Sequence, residues 1–131
     1  MTNDTVRTGG CACGEVRFEV RGEPVRTGLC HCMTCRQTTG SAFLPFAVFP
    51  ADRVSFTGDV REWRASPGYA RCFCATCGSR VFGRDEAEYD ISFGALDRPG
   101  EFAPHYELWT LRREPWMPDV GEEIYETSRT A

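Results

Sequence analysis

Glu15-Val16-Arg17-Phe18-Glu19-Val20-Arg21 alternates polar and apolar positions without a break, the period of a strand with one buried face. Leu44 to Phe49 is an apolar run, closed by Pro50 and Asp52. Val54-Ser55-Phe56-Thr57, then Gly58-Asp59, then Val60-Arg61-Glu62-Trp63 predicts a hairpin with a Gly-Asp turn. Ser66-Pro67-Gly68 is another turn, feeding a strand from Tyr69 to Phe73. Ser79 to Gly83, Tyr89 to Ala95 and His105 to Arg112 complete the strand candidates. Glycines and prolines interrupt every helical period, so only short helices are expected, one after Cys35 and one around Asp85 to Glu88. The pattern predicts a mainly β chain of antiparallel sheets with short helices. No repeat or low-complexity stretch divides residues 1–131, which are expected to form a single domain. The polar tail from Asp119 to Ala131 is expected to fray after Tyr125.

Apolar residues make up 41% of the chain, including nine Phe, enough for a real core and against disorder. Trp63, Trp109 and Trp116 are assigned to that core. The stretch from Met1 to Arg7 has no apolar run of a signal peptide, and nothing approaches the ~18–20 apolar residues of a membrane helix. The expectation is a soluble, cytoplasmic protein with no membrane association, in a compartment that keeps thiols reduced. A net charge of −4 without a basic stripe argues for no nucleic acid partner. All fifteen basic residues are Arg, so no lysine amine is available for imine chemistry on a carbonyl substrate.

Candidate chemistry lies in the eight cysteines, which fall in three tight clusters: Cys11 and Cys13; Cys30, Cys32 and Cys35; and Cys72, Cys74 and Cys77. Thiols one or two residues apart converge on one ion, whereas disulfide frameworks spread their cysteines to close loops. Zinc is the leading candidate. Gly14 follows Cys13 and Gly78 follows Cys77, a tight backbone turn that brings amide N–H groups onto thiolate sulfur. Cys11, Cys13, Cys74 and Cys77 can close a four-sulfur tetrahedron, the pattern of a structural site. Cys30, Cys32 and Cys35 offer three sulfurs followed by the polar run Arg36-Gln37-Thr38-Thr39, and three protein ligands with one open position is the pattern of a catalytic zinc. His31 or Cys72 could instead close that site as a fourth ligand. An extended backbone turns His31 away from its neighbours, and Cys72 also suits a plain buried thiol.

Gly10-Cys11-Ala12-Cys13-Gly14, Cys30-His31-Cys32-Met33-Thr34-Cys35-Arg36 with Thr39-Gly40-Ser41-Ala42-Phe43, and Phe73-Cys74-Ala75-Thr76-Cys77-Gly78-Ser79 together resemble the glutathione-dependent formaldehyde-activating (GFA) family. The likeness runs over a core of about 9–119, including the stretch from His105 to Trp116. It implies a β-tent of antiparallel sheets stapled by zinc, with two ions per chain. By that resemblance Cys11, Cys13, Cys74 and Cys77 hold the structural ion, and Cys30, Cys32 and Cys35 the catalytic one. The chain is shorter than the prototype enzyme and carries the extra Cys72.

The implied activity is that of a carbon–sulfur lyase, interconverting formaldehyde plus glutathione, or a related small aldehyde and thiol, with the S-hydroxymethyl adduct. A three-thiolate zinc is a weak Lewis acid but favours an incoming sulfur ligand, whose pKa it lowers. Arg36 suits a carboxylate of the thiol substrate by its fork geometry, and Gln37, Thr38 and Thr39 could donate hydrogen bonds or begin a helix. His105 is read as a structural histidine before an acid or base. Two other classes stay open: a zinc-stabilised interaction module without turnover, and a stoichiometric metal or electrophile buffer.

Overall fold

Along Arg17–Arg21 the side chains of Phe18 and Val20 are buried while Arg17, Glu19 and Arg21 face solvent, as the alternation requires. This strand, β2, is the middle of a small antiparallel sheet between β1 (Val6–Gly10) and β5 (Val54–Thr57). The computed structural model describes residues 5–129. The first four residues of the stretch read as lacking a signal peptide, and the last two of the tail, lie outside them.

The larger sheet has eight strands: β3 (Arg26–Cys30), β4 (Leu44–Pro50), β6 (Val60–Ser66), β7 (Tyr69–Cys74), β8 (Arg80–Arg84), β9 (Glu88–Ser92), β10 (Tyr106–Leu108) and β11 (Glu123–Ile124). Their spatial order is β11-β10-β3-β4-β9-β8-β7-β6, and neighbours are antiparallel except at β10, which runs parallel to both β3 and β11. One α-helix, α1 (Met33–Thr39), and short 3₁₀ turns complete the fold. The protein is therefore mainly β, two sheets in one domain. No helix among the described residues is long and apolar enough to cross a membrane.

The unbroken apolar run of β4 follows from its place inside the large sheet, where both faces are covered. Ala47 and Phe49 join Val16, Phe18, Val20, Val81, Phe82 and Ile91 in the core between the sheets. Phe46 and Val48 face the other way, into a second cluster with Cys30, Cys35, Leu44 and Tyr106. Phe18, Phe49 and Phe82 are each at most 2% exposed, and burial of such a side chain stabilises by about 2–3 kcal/mol.

Several expectations are corrected. Val54–Thr57 and Val60–Ser66 do not form a hairpin: β5 pairs with β2, β6 with β7, and Gly58-Asp59 carries the chain from one sheet to the other. The β6–β7 connection at Pro67-Gly68 is the hairpin there. Asp85 to Glu88 is not helical, because Asp85 Oδ1 accepts the N–H groups of Ala87 and Glu88, each at 2.8 Å, and closes a turn. The strand at Tyr89 ends at Ser92, and the strand after His105 ends at Leu108, where Trp109 takes a left-handed conformation (φ 58°). Beyond Tyr125 the tail stays attached, with the carbonyls of Glu126 and Thr127 accepting from Leu111 (3.4 Å) and Trp109 (3.0 Å). Trp63 and Trp116 are exposed, not core. Trp109 is partly buried against the second cluster.

Candidate metal centres

Cys11 and Cys13 lie in the β1–β2 loop of the small sheet, while Cys74 ends β7 of the large one and Cys77 lies in the turn that follows. The fold brings all four sulfurs within 4.8 Å of one another. Cys11 to Cys13 is 3.6 Å and Cys13 to Cys74 is 3.8 Å. Sulfurs at the corners of a tetrahedron with metal bonds of ~2.3 Å stand ~3.8 Å apart, so the spacing fits a tetrathiolate metal site. All eight cysteines are free of disulfides.

Backbone donors complete this group. The Val16 N–H reaches Cys11 Sγ at 3.2 Å, and those of Thr76 and Cys77 reach Cys74 Sγ at 3.3 and 3.4 Å. Gly14 and Gly78 adopt φ of 85° and 79°, and a Cβ on either would meet nothing within 4 Å. Glycine is needed there for the left-handed turn and not for space. The Ser79 hydroxyl and N–H, then the Cys13 backbone, hold the Cys77 thiol down to about 5, toward the thiolate a cation binds.

The second group stands where β3 runs into α1. Cys30 ends the strand, Cys32 caps the helix and Cys35 lies in its first turn, with all three sulfurs mutually within 4.8 Å. Cys32 Sγ accepts the Cys35 N–H at 3.2 Å, as an N-cap oxygen would, and Gly40 closes the other end. The helix therefore starts before Cys35, and Thr38 and Thr39 lie at its end with their hydroxyls bonded back to Thr34 (2.7 Å) and Cys35 (2.7 Å) carbonyls. Cys30 and Cys35 are buried and Cys32 is half-buried, so Cys32 marks the open side. The sulfurs of Cys30 and Cys35 draw the Cys32 thiol well below its ordinary value, aided by the Cys35 N–H and the Arg71 charge. Sulfur contacts to Cys32 and Cys35, then burial, push Cys30 up. Thiols this close compete for charge, and a divalent cation removes the competition.

Among the described residues no His, Asp, Glu or further Cys joins either group. His31 is fully buried with its ring turned to Glu107, Nε2 to Oε1 at 2.8 Å. Glu107 Oε2 in turn accepts from Val120 and Gly121 N–H at 2.6 and 2.8 Å. Against burial, the Gly121 N–H, His31 and the Val120 N–H hold the Glu107 carboxyl below its ordinary range. The chain thus links the loop between two candidate ligands to its own tail, a role for Glu107 that no local pattern announced. Cys72 packs in the core between the sheets, outside both groups, where burial raises its thiol to about 11.

Of the other candidates, Arg36 donates to the Arg112 carbonyl at 2.8 Å and pairs with Glu114, fastening α1 to the following segment. Gln37 is exposed on the helix. His105 pairs with tail residues Glu122 (3.1 Å) and Glu123 (3.9 Å), as a structural histidine. The sequence reading passed over Arg71 and Arg80, whose charges act on Cys32 and Cys35 respectively. They lie on β7 and β8, and only strand pairing brings them to α1.

Comparison with known proteins bears on the fold and the family. A crystal structure of a Rhodobacter sphaeroides protein superposes with a TM-score of 0.59 at 22% identity, covering 90% of this chain and 98% of that one, and so shares the fold. An uncharacterized lyase of Schizosaccharomyces pombe is 30% identical over 74 residues. That match takes in 56% of this chain and only about half, 54%, of the relative's length. The model of the glutathione-dependent formaldehyde-activating enzyme family matches residues 6–112, which include every cysteine of both groups. The chain belongs to that family.

Proposed function

We propose that the protein is a zinc-dependent carbon–sulfur lyase that joins a small aldehyde to a low-molecular-weight thiol and reverses the same step. The observation that carries this reading is the three-sulfur group at the head of α1, with one half-exposed sulfur and no fourth protein ligand among the described residues. Two zinc ions fit the two groups, Cys11, Cys13, Cys74 and Cys77 as a structural site and Cys30, Cys32 and Cys35 as a catalytic one. Zinc held by the three thiolates would keep a substrate thiol as its thiolate at neutral pH. The overall change forms a bond between that sulfur and the aldehyde carbon, and the thiol proton ends on the aldehyde oxygen. No redox step is involved.

The chain's own part is to hold and orient. The helix N-terminus and the Cys35 N–H favour negative sulfur at Cys32, and burial of Cys30 and Cys35 excludes water from one side. Arg36 and Gln37 are the proposed contacts for the rest of the thiol. Gln37 is exposed and free to meet it, whereas Arg36 must exchange its Glu114 partner to meet a carboxylate. Formaldehyde and glutathione are the first pair to test, given the family. Free thiols in both groups suit a reducing compartment such as the cytoplasm.

The uncatalysed reaction already runs in water, so the test is a rate. NMR exchange spectroscopy on formaldehyde, glutathione and their adduct should show faster exchange with the intact protein than with Cys32→Ser. Equal rates for the two proteins, with glutathione and other cellular thiols alike, would falsify the lyase reading.

A further inference from the structure

Beside the three-cysteine group lies a cleft of about 400 Å³ whose lining includes Thr38 of α1, Trp63, Arg71, Phe73, Gly78 and Arg80. Trp63 stands opposite Arg71 across the β6–β7 pair, so both project from the same face of the sheet. Arg80 is clamped in place, donating to Thr38 Oγ1 at 3.0 Å and to the Tyr69 hydroxyl at 3.3 Å. The Arg71 guanidinium lies over the Tyr69 ring, 5.2 Å from its centroid. Neither arginine makes an ion pair among the described residues, and the Nε of each is buried without a partner.

The acid of this network is Asp90, which accepts the Tyr69 hydroxyl at 2.6 Å. Gly83 makes that bond possible: a Cβ there would fall 1.8 Å from the Tyr69 oxygen. Asp90 is half-buried with its Oδ1 shielded from solvent and unpartnered, and loss of hydration pushes its carboxyl up, which weakens it as a counter-ion for two guanidinium groups. Each guanidinium thus lacks a carboxylate partner of its own among the described residues, with its Nε buried and unpaired, and a ligand carboxylate supplies one. Guanidinium forks match a carboxylate in shape as well as charge, and the half-exposed Trp63 offers an apolar wall for the chain that bears it.

We infer that Arg71 and Arg80, in the cleft walled by Trp63 and Phe73, are the residues that bind a carboxylate of the thiol accepted at Cys30, Cys32 and Cys35. The inference rests on the thiol reading above and names the two side chains that set its specificity for a carboxylate. It also separates these two arginines from Arg36, which already has Glu114.

The test uses S-methylglutathione, which keeps the carboxylates but has no free thiol, against its dimethyl ester. Calorimetric titration of the zinc-loaded protein should show the acid form binding at least about tenfold more tightly than the ester. Arg71→Gln and Arg80→Gln should each lose about tenfold for the acid form and little for the ester, with zinc content and circular dichroism unchanged. Should Arg80→Gln disturb folding through Thr38 and Tyr69, Arg71→Gln carries the comparison. Failure of the acid form to bind, equal binding of acid and ester, or full affinity in folded Arg71→Gln each overturns the proposal. Arginine-dependent binding without accelerated thiol–aldehyde exchange would keep the carboxylate site and sink the lyase. Accelerated exchange that is as fast with 2-mercaptoethanol as with glutathione, and insensitive to Arg71→Gln, would do the reverse.

Discussion

Cys72 shows how far a single residue can be sorted by its neighbours. It shares the buried face of β7 with Cys74, yet it sits one turn of the pleat further into the core, fully buried among apolar side chains outside both metal groups. Cys72→Ala should retain both equivalents of zinc by elemental analysis and lower stability by about 1 kcal/mol, the scale of a small buried group. Loss of one zinc would make it a ligand of the middle site. At this scale the sequence was informative where chemistry is local. Spacing and the glycines after Cys13 and Cys77 sorted seven cysteines into the two sets that the fold brings together. The turn of His31 away from Cys30 and Cys32 was likewise legible from strand geometry. Its partner Glu107, 76 positions away, was not, and neither were Arg71 and Arg80. Their importance arises from register, which no single stretch encodes.

At the scale of elements, the two groups sit in different settings, and their ligands should differ in what they cost to remove. The four-cysteine group brings a loop of the small sheet to the end of β7 and its turn in the large one, while the three-cysteine group is built within one strand-to-helix junction. Cys11→Ser or Cys74→Ser should therefore unfold or severely destabilise the domain, because a structural zinc contributes on the order of 10 kcal/mol to folding. Cys32→Ser should stay folded while losing about one equivalent of metal. Thermal melts paired with elemental analysis decide this; equal destabilisation would make both groups structural. Strand positions were largely readable from alternation, but pairing was not. Gly58-Asp59 has the local chemistry of a hairpin turn, and β5 and β6 nevertheless join separate sheets, since a turn motif does not name the partner of the strands it links. β1 and β3 escaped notice because Thr8, Gly9, Gly10, Thr27 and Gly28 give them little apolar pattern. Their pairing with β2, β4 and β10 makes them strands.

For the whole molecule, the small sheet packs on the large one through a shared apolar core, and the four-cysteine group brings sulfurs of both sheets together. Hydrogen exchange after treatment with a zinc chelator should accelerate first in β1, β2 and β5, with β4, β8 and β9 protected longest. Uniform acceleration across both sheets would show that the metal supports the entire fold as one unit. The exposure of the cysteines adds a further consequence. Cys13 and Cys77 are exposed, whereas Cys30 and Cys35 are buried. An oxidant or a surplus of aldehyde therefore reaches the sulfurs that staple the sheets before it reaches two of the three at the head of α1. On the metal reading above, loss of those sulfurs would loosen the small sheet, whereas damage at half-exposed Cys32 would silence the open group and leave the chain folded.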